Sequence, residues 1–97
     1  RVNTFLCDIG YALAKPWHGR GFGTEAIAEL CRHALEDREF ERIEAKVFAG
    51  NRASGRVLEK CGFVLEGTHR RVELKQGQWK DNWLYGLIKP DWLALKR

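Results

Sequence analysis

Residues 17–26 read WHGRGFGTEA, which puts Gly19, Gly21 and Gly23 at alternate positions just ahead of a run of helix formers. A glycine has no Cβ, so such a loop lets main-chain N–H groups approach a bound group that any side chain would push away. The first N–H groups of the following helix lack partners within it, and the helix dipole places partial positive charge there. A phosphate is the natural occupant of that place, and Arg20 adds a full positive charge to it. The same glycines would also let a strand and a helix pack closely, although a turn needs fewer of them.

Two familiar phosphate loops fit badly. A P-loop requires a lysine directly after its last glycine, and Thr24 stands there instead. A dinucleotide loop requires Gly-x-Gly-x-x-Gly tight against a strand end. Here the spacing is Gly19-x-Gly21-x-Gly23, and residues 14–18, with Pro16 among them, intervene. Glu44 lies at about the distance of a ribose-binding acid but falls in mid-strand.

The elements that must position this loop can be read from hydrophobic spacing. Residues 5–13 (FLCDIGYAL) predict a strand, with Gly10 marking a bulge or a close backbone approach. Ile27, Leu30, Cys31, Ala34 and Leu35 recur at helical spacing and predict a helix over 24–38. Ile43, Ala45 and Val47 alternate with Arg42, Glu44 and Lys46, the pattern of a strand over 42–48. Asn51 is a good N-cap for a helix running to Cys61, and Gly62 sits where a left-handed C-terminal cap belongs. Residues 63–74 and 78–88 predict two strands joined as a hairpin across Lys75-Gln76-Gly77, with a short helical turn after Pro90. The order strand, helix, strand, helix, strand, strand describes an α/β (α+β) domain with a mixed sheet. Its first two strands are parallel across a helical crossover, and its hairpin is antiparallel. Open parallel sheets take ligands at the carboxyl ends of their strands, and the glycine run lies at such an end.

Five stretches now stand in order: Gly-Tyr-Ala-Leu at 10–13, Gly-Arg-Gly-Phe-Gly-Thr-Glu-Ala at 19–26, Asn51-x-x-Ser54, Leu58-Glu59-Lys60-x-Gly62-Phe63, and Glu66-Gly67. Together they resemble the GNAT superfamily of acetyl-CoA-dependent N-acetyltransferases. The nearest branch is the one that acetylates protein N-termini, the ribosomal-protein alanine acetyltransferases of RimJ/RimL type. The resemblance covers nearly the whole chain but only part of the family fold. It implies that residues 1–97 form a single partial domain, the C-terminal, acetyl-CoA-binding portion, beginning near the family's fourth strand with the N-terminal elements missing. The family's loop pattern, Gln/Arg-x-x-Gly-x-Gly/Ala, occurs here with His18 in first place, which weakens one side-chain contact and leaves the main-chain cradle intact.

The resemblance also implies roles. His18, Gly19, Arg20, Gly21, Phe22, Gly23 and Thr24 would cradle the coenzyme's pyrophosphate, and the strands at 5–13 and 42–48 would splay to admit its pantetheine arm. An N–H at Ala12 or Leu13 would meet the thioester carbonyl, and Asn51 would cap its helix and touch the pantetheine. Ser54 would face the coenzyme sulfur, and Glu73 would accept the amine proton as base. The residues alone leave other readings open: Ser54 as a helix-start hydroxyl bonded to local backbone, and Glu73 as an outward carboxylate paired with Arg71 or Lys75. Acetyl would pass from acetyl-CoA to the α-amine of a protein such as a ribosomal protein, with no metal. The rivals are a small-molecule acetyltransferase acting on a polyamine or aminoglycoside, and a non-catalytic module that binds CoA or a partner protein.

The remaining residues are read as support. Glu25 and Glu66 are structural carboxylates, Arg56 and Lys60 form a solvated face that could also reach coenzyme phosphates, and His33 is exposed. Trp79, Trp83 and Trp92 pack the hairpin and the final turn, and Tyr85 is structural. His18, His33 and His69 share no metal-ligand spacing, and Cys7, Cys31 and Cys61 read as reduced, mostly buried thiols of a cytoplasmic protein. A net charge of +4 with scattered basic residues favours an anionic ligand and argues against nucleic acid. No segment has the pattern of a membrane span or a signal peptide. A chain that starts at Arg1 and lacks Met is expected to be processed, truncated or partly represented. An edge strand carrying Phe5, Leu6, Ile9 and Tyr11 fits a longer polypeptide or a homodimer that completes its sheet in trans.

Overall fold

In the computed structural model, which describes residues 4–8 and 22–95, the alternating and helical patterns become a four-stranded sheet with helices packed on one face. The elements are β1 (Thr4–Asp8), α1 (Phe22–Arg32), β2 (Arg42–Phe48), α2 (Arg52–Lys60), β3 (Val64–Lys75), β4 (Gln78–Ile88) and α3 (Lys89–Leu95). The strand order is β1-β2-β4-β3. β1 runs parallel to β2, and β4 runs antiparallel to both β2 and β3, so the sheet is mixed as the element order requires.

Side chains alternate across a strand, so register assigns the faces. Ile43, Ala45 and Val47 of β2 stand opposite Leu87, Tyr85 and Trp83 of β4. These face the helices and form the core with Ile27, Cys31, Ala34 and Leu35 from the first helical segment and with Leu58, Phe63 and Trp92. Arg42, Glu44, Lys46 and Phe48 stand opposite Ile88, Gly86, Leu84 and Asn82 on the other face. Leu6, which pairs with Glu44, is 68% exposed on that face.

Local chemistry sets the element ends. α1 begins at Phe22, earlier than its apolar spacing predicts, so Gly23 and Thr24 belong to its first turn. The predicted helix does not run unbroken to residue 38. At His33–Asp37 it widens into a π turn, closed by Arg38 N–H donating to the His33 carbonyl at 2.9 Å, and Ala34 and Leu35 stay buried. Arg32 holds that turn through Glu29 and Asp37, and Trp92 Nε1 donates to Glu36 Oε2 at 2.6 Å, tying α3 to it. Gly62 has φ +99°, which an L side chain rarely adopts. Its N–H meets Glu59 O and that of Phe63 meets Leu58 O, the paired bonds of a Schellman cap, as the sequence predicts.

The hairpin turn is tighter than predicted. Lys75 pairs with Gln78, so the loop is Gln76-Gly77 alone, with φ of 51° and 79°, a type I′ turn. The strand predicted over 5–13 is seen as Thr4–Asp8, and residues 9–13 lie outside the described residues.

Candidate active site

β2 ends at Phe48, and the chain turns at once into α2. Asn51 N–H donates to Phe48 O at 3.0 Å, and the Asn51 side chain accepts from Ser54 N–H at 3.2 Å. This is the N-cap that the sequence predicts; it uses the Ser54 main chain and leaves the hydroxyl alone. Ser54 is 7% exposed, and its hydroxyl makes no hydrogen bond to another described residue. The reading of Ser54 as a hydroxyl spent on local backbone is therefore not what the structure contains. A buried hydroxyl with no partner among the described residues gains from a polar ligand that supplies one.

The next residue explains the room beside it. A Cβ on Gly55 would stand 2.6 Å from the Tyr85 hydroxyl, with Trp83 nearby, so the helix start can rest on the Tyr85 ring only because residue 55 is glycine. Burial, and secondarily the Glu59 carboxylate, raises the Tyr85 pKa, so the phenol stays protonated at neutral pH. At the far end of α2, the Cys61 thiol donates to Thr24 O at 3.5 Å, joining the α2 C-cap to the first turn of α1. Burial pushes this thiol up to about 11, which makes it an inert packing group, and Cys31 is likewise buried and outside any disulfide among the described residues.

Glu73 lies near the hairpin end of β3. Its partner is neither Arg71 nor Lys75: Asn82 Nδ2 donates to Glu73 Oε2 at 2.9 Å. Arg71 instead stacks over Trp79 at 5.4 Å, and the Lys75 ammonium sits 4.7 Å from the Phe48 ring centroid. Trp79 is half exposed, so it packs the hairpin only through that stack and its strand neighbours. Asn82 stands opposite Phe48, the last residue of β2, so Glu73 meets the sheet end from which α2 departs. Ser54 and Glu73 come to it from opposite faces. Ser54 sits on the helix side with Tyr85, and Glu73 bonds to the side chain of Asn82, on the other face by register.

Among the predicted cofactor residues, Phe22, Gly23 and Thr24 form the first turn of α1, and Asn51 and Ser54 form the start of α2. Ala12, Leu13, His18, Gly19, Arg20 and Gly21 lie outside the described residues. Glu66 is structural: it forms a two-bond pair with Arg42, which also reaches Glu44. Glu25 and His33 are exposed, and His33 bonds to Asp37. Sequence reading missed Asn82. It follows Lys80 and Asp81 in a polar stretch of the strand, so nothing local singles it out. No group of three or more His, Cys, Asp or Glu among the described residues could hold a metal ion, and no described helix is long and apolar enough to cross a membrane.

Residues 1–64 match the family model of the acetyltransferase (GNAT) domain. The chain belongs to the GNAT acetyltransferase family. It is 35% identical to the [ribosomal protein uS5]-alanine N-acetyltransferase of Escherichia coli over 95% of its length and 47% of that protein's. It is 40% identical to the probable N-acetyltransferase YjcK of Bacillus subtilis over 86% of its length and 46% of that protein's. The GNAT fold is also seen in a spermidine N-acetyltransferase of Vibrio cholerae, which superposes with a TM-score of 0.79 at 23% identity, covering 86% of this chain and 49% of the other. The chain spans about half the length of the curated relatives it matches.

Proposed function

We propose that this chain is the coenzyme-handling portion of an acetyl-CoA-dependent N-acetyltransferase whose acceptor is an N-terminal α-amine, as in the relative that acts on an alanine of ribosomal protein uS5. The observation that carries the reading is Ser54: a buried hydroxyl, free of described partners, on a capped helix start at the end of β2. Acetyl-CoA would supply an activated thioester. Residues 18–24 would hold its phosphates, and Asn51 and Ser54 would meet the end that reacts. Thr24 lies beside the C-cap of α2 and Ser54 near its start, about 10 Å of helix apart. A ligand engaging both must be extended, as CoA is.

In this reading Glu73 takes a proton from the acceptor amine, directly or through water, and Ser54 Oγ–H donates a hydrogen bond toward the departing thiolate. Tyr85, protonated at neutral pH, backs the helix on which Ser54 sits. The test is acetyl transfer from acetyl-CoA to a peptide with an N-terminal alanine, with CoA affinity measured separately. Ser54→Ala should lower kcat by about tenfold and leave CoA affinity unchanged, the pattern of an interaction made mainly in the transition state. Tight CoA binding with no transfer to any amine would instead mark a binding module. The fold of the spermidine enzyme supports a second reading, a polyamine acceptor, and transfer to spermidine in preference to the peptide would favour it.

A further inference from the structure

We propose that Asn82 is a positioning residue for Glu73, an inference that rests on reading Glu73 as the group that takes the amine proton. Asn82 is 4% exposed and occupies a strand position between Asp81 and Trp83 where β-branched or aromatic residues are favoured. A carboxylate can only accept hydrogen bonds, so the carboxamide turns its nitrogen to Glu73 Oε2 and its oxygen away. That oxygen has no hydrogen-bond partner among the described residues. A buried amide whose carbonyl finds no partner among the described residues gains nothing from them in stability over an apolar side chain of the same size. What it does achieve is to fix one oxygen of an otherwise exposed carboxylate.

The surroundings support that role. Between His69 and Glu73 the register of β3 slips against β4, and Arg71 N–H donates to Asp81 Oδ1 at 2.8 Å within the slip. Glu73 then stands opposite Lys80 and reaches diagonally to Asn82. The nearby cations are engaged elsewhere: Arg71 lies over Trp79, Lys75 over Phe48, and Lys80, directly opposite Glu73, donates to Gln78 Oε1 at 3.3 Å. The donor that orients Glu73 is therefore neutral. It sets the direction of the carboxylate without cancelling the charge, and Oε1 is left for an amine.

The test compares Asn82→Leu, similar in volume, and Asn82→Asp, which removes the donor, with the unaltered chain, using an alanyl peptide as acceptor. Both variants should lose at least about tenfold in kcat through misplacement of the base, with CoA affinity unchanged. An unaltered kcat in a folded Asn82→Leu chain overturns the proposal; should that variant fail to fold, Asn82→Asp decides in the same way. If the unaltered chain itself transfers no acetyl group, the acetyltransferase reading fails, and Glu73 side-chain carbon relaxation still tests the pair. Glu73 should be confined to one rotamer in the unaltered chain and mobile in either variant, and equal mobility overturns the role of Asn82.

Discussion

The strand β3 carries a carboxylate toward each end, and the two are treated differently. Glu66, near the start, receives two hydrogen bonds from the Arg42 guanidinium, at 2.5 and 3.0 Å, and a Cβ on Gly86 would collide with this pair. Glu73, near the hairpin, receives one bond from a neutral carboxamide. The Arg42 bonds, partly offset by burial, hold the Glu66 carboxyl below its ordinary range. A paired charge of that kind joins strands. Among the described residues no cation forms an ion pair with Glu73, and Lys80 opposite it bonds to Gln78, so a carboxylate held by an amide remains open to a cationic or proton-bearing group. The two carboxylates thus separate support from proposed chemistry on a single strand.

Glu73→Gln should break the comparison most visibly. A general base contributes about 100-fold or more to a rate, so acetyl transfer to an alanyl peptide should fall by at least that factor. The urea midpoint should not move, because an exposed residue that loses only its charge leaves the strand pairing intact. A rate within threefold of the original would transfer the role of base to another group or to water.

Glu66→Gln should do the reverse. The pair is partly exposed, at 21% and 35%, and Arg42 keeps its bond to Glu44 at 3.1 Å, so the loss is about 1 kcal/mol, seen as a lower urea midpoint at unchanged kcat. The loss should depend on pH. A carboxyl depressed in the folded state stabilises above its unfolded pKa, near 4.5, and that contribution disappears as pH falls through the lower folded value. The gap between the Glu66→Gln variant and the unaltered chain should therefore narrow as pH falls below 4.5 and close once Glu66 is protonated in the folded chain. A gap that is constant from pH 7 to pH 3 would mean that Arg42 holds the amide as firmly as the carboxylate.

The two ends of β3 also differ in how far the sequence revealed them. Strict alternation found Arg42–Phe48 to the residue, and Asn51 and Gly62 marked both caps of α2, because each signal is local and its chemistry lies within a few residues. The π turn at His33–Asp37 was not legible: the helix leaves through Glu39, at φ 57°, and not through a glycine or proline that would have announced it. The bulges of β3 were not legible either. The second accompanies a bond between Arg71 N–H and Asp81 Oδ1, a contact made only once the strands are paired. The same limit explains Glu73. Its neighbours in sequence, Arg71 and Lys75, are the natural guess for partners, since alternation puts them on its face, but stacking on Trp79 and Phe48 takes both cations elsewhere and Asn82 comes across the hairpin. Ser54 was legible as a helix-start residue, whereas its burial was not, because the helix start rests on Tyr85 through a long-range contact at Gly55.

The smallest expected effect sharpens the comparison at the hairpin. Most of β3 is exposed, so its distal half draws little from the core and depends on its turn and on cross-strand bonds. The turn needs positive φ at both central residues, and Gln76 holds φ 51° where asparagine is the better occupant. Gln76→Asn should stabilise the chain by about 0.5 kcal/mol, read as a raised urea midpoint. The amides of residues 73–80 should exchange more slowly while those around Glu66 do not change, since that end is already fixed by Arg42. If exchange at the hairpin is unaffected, the distal half is held by the Arg71–Asp81 bond and not by its turn. In that case Asp81→Asn, and not a change in the loop, is the substitution that should loosen the strand carrying Glu73.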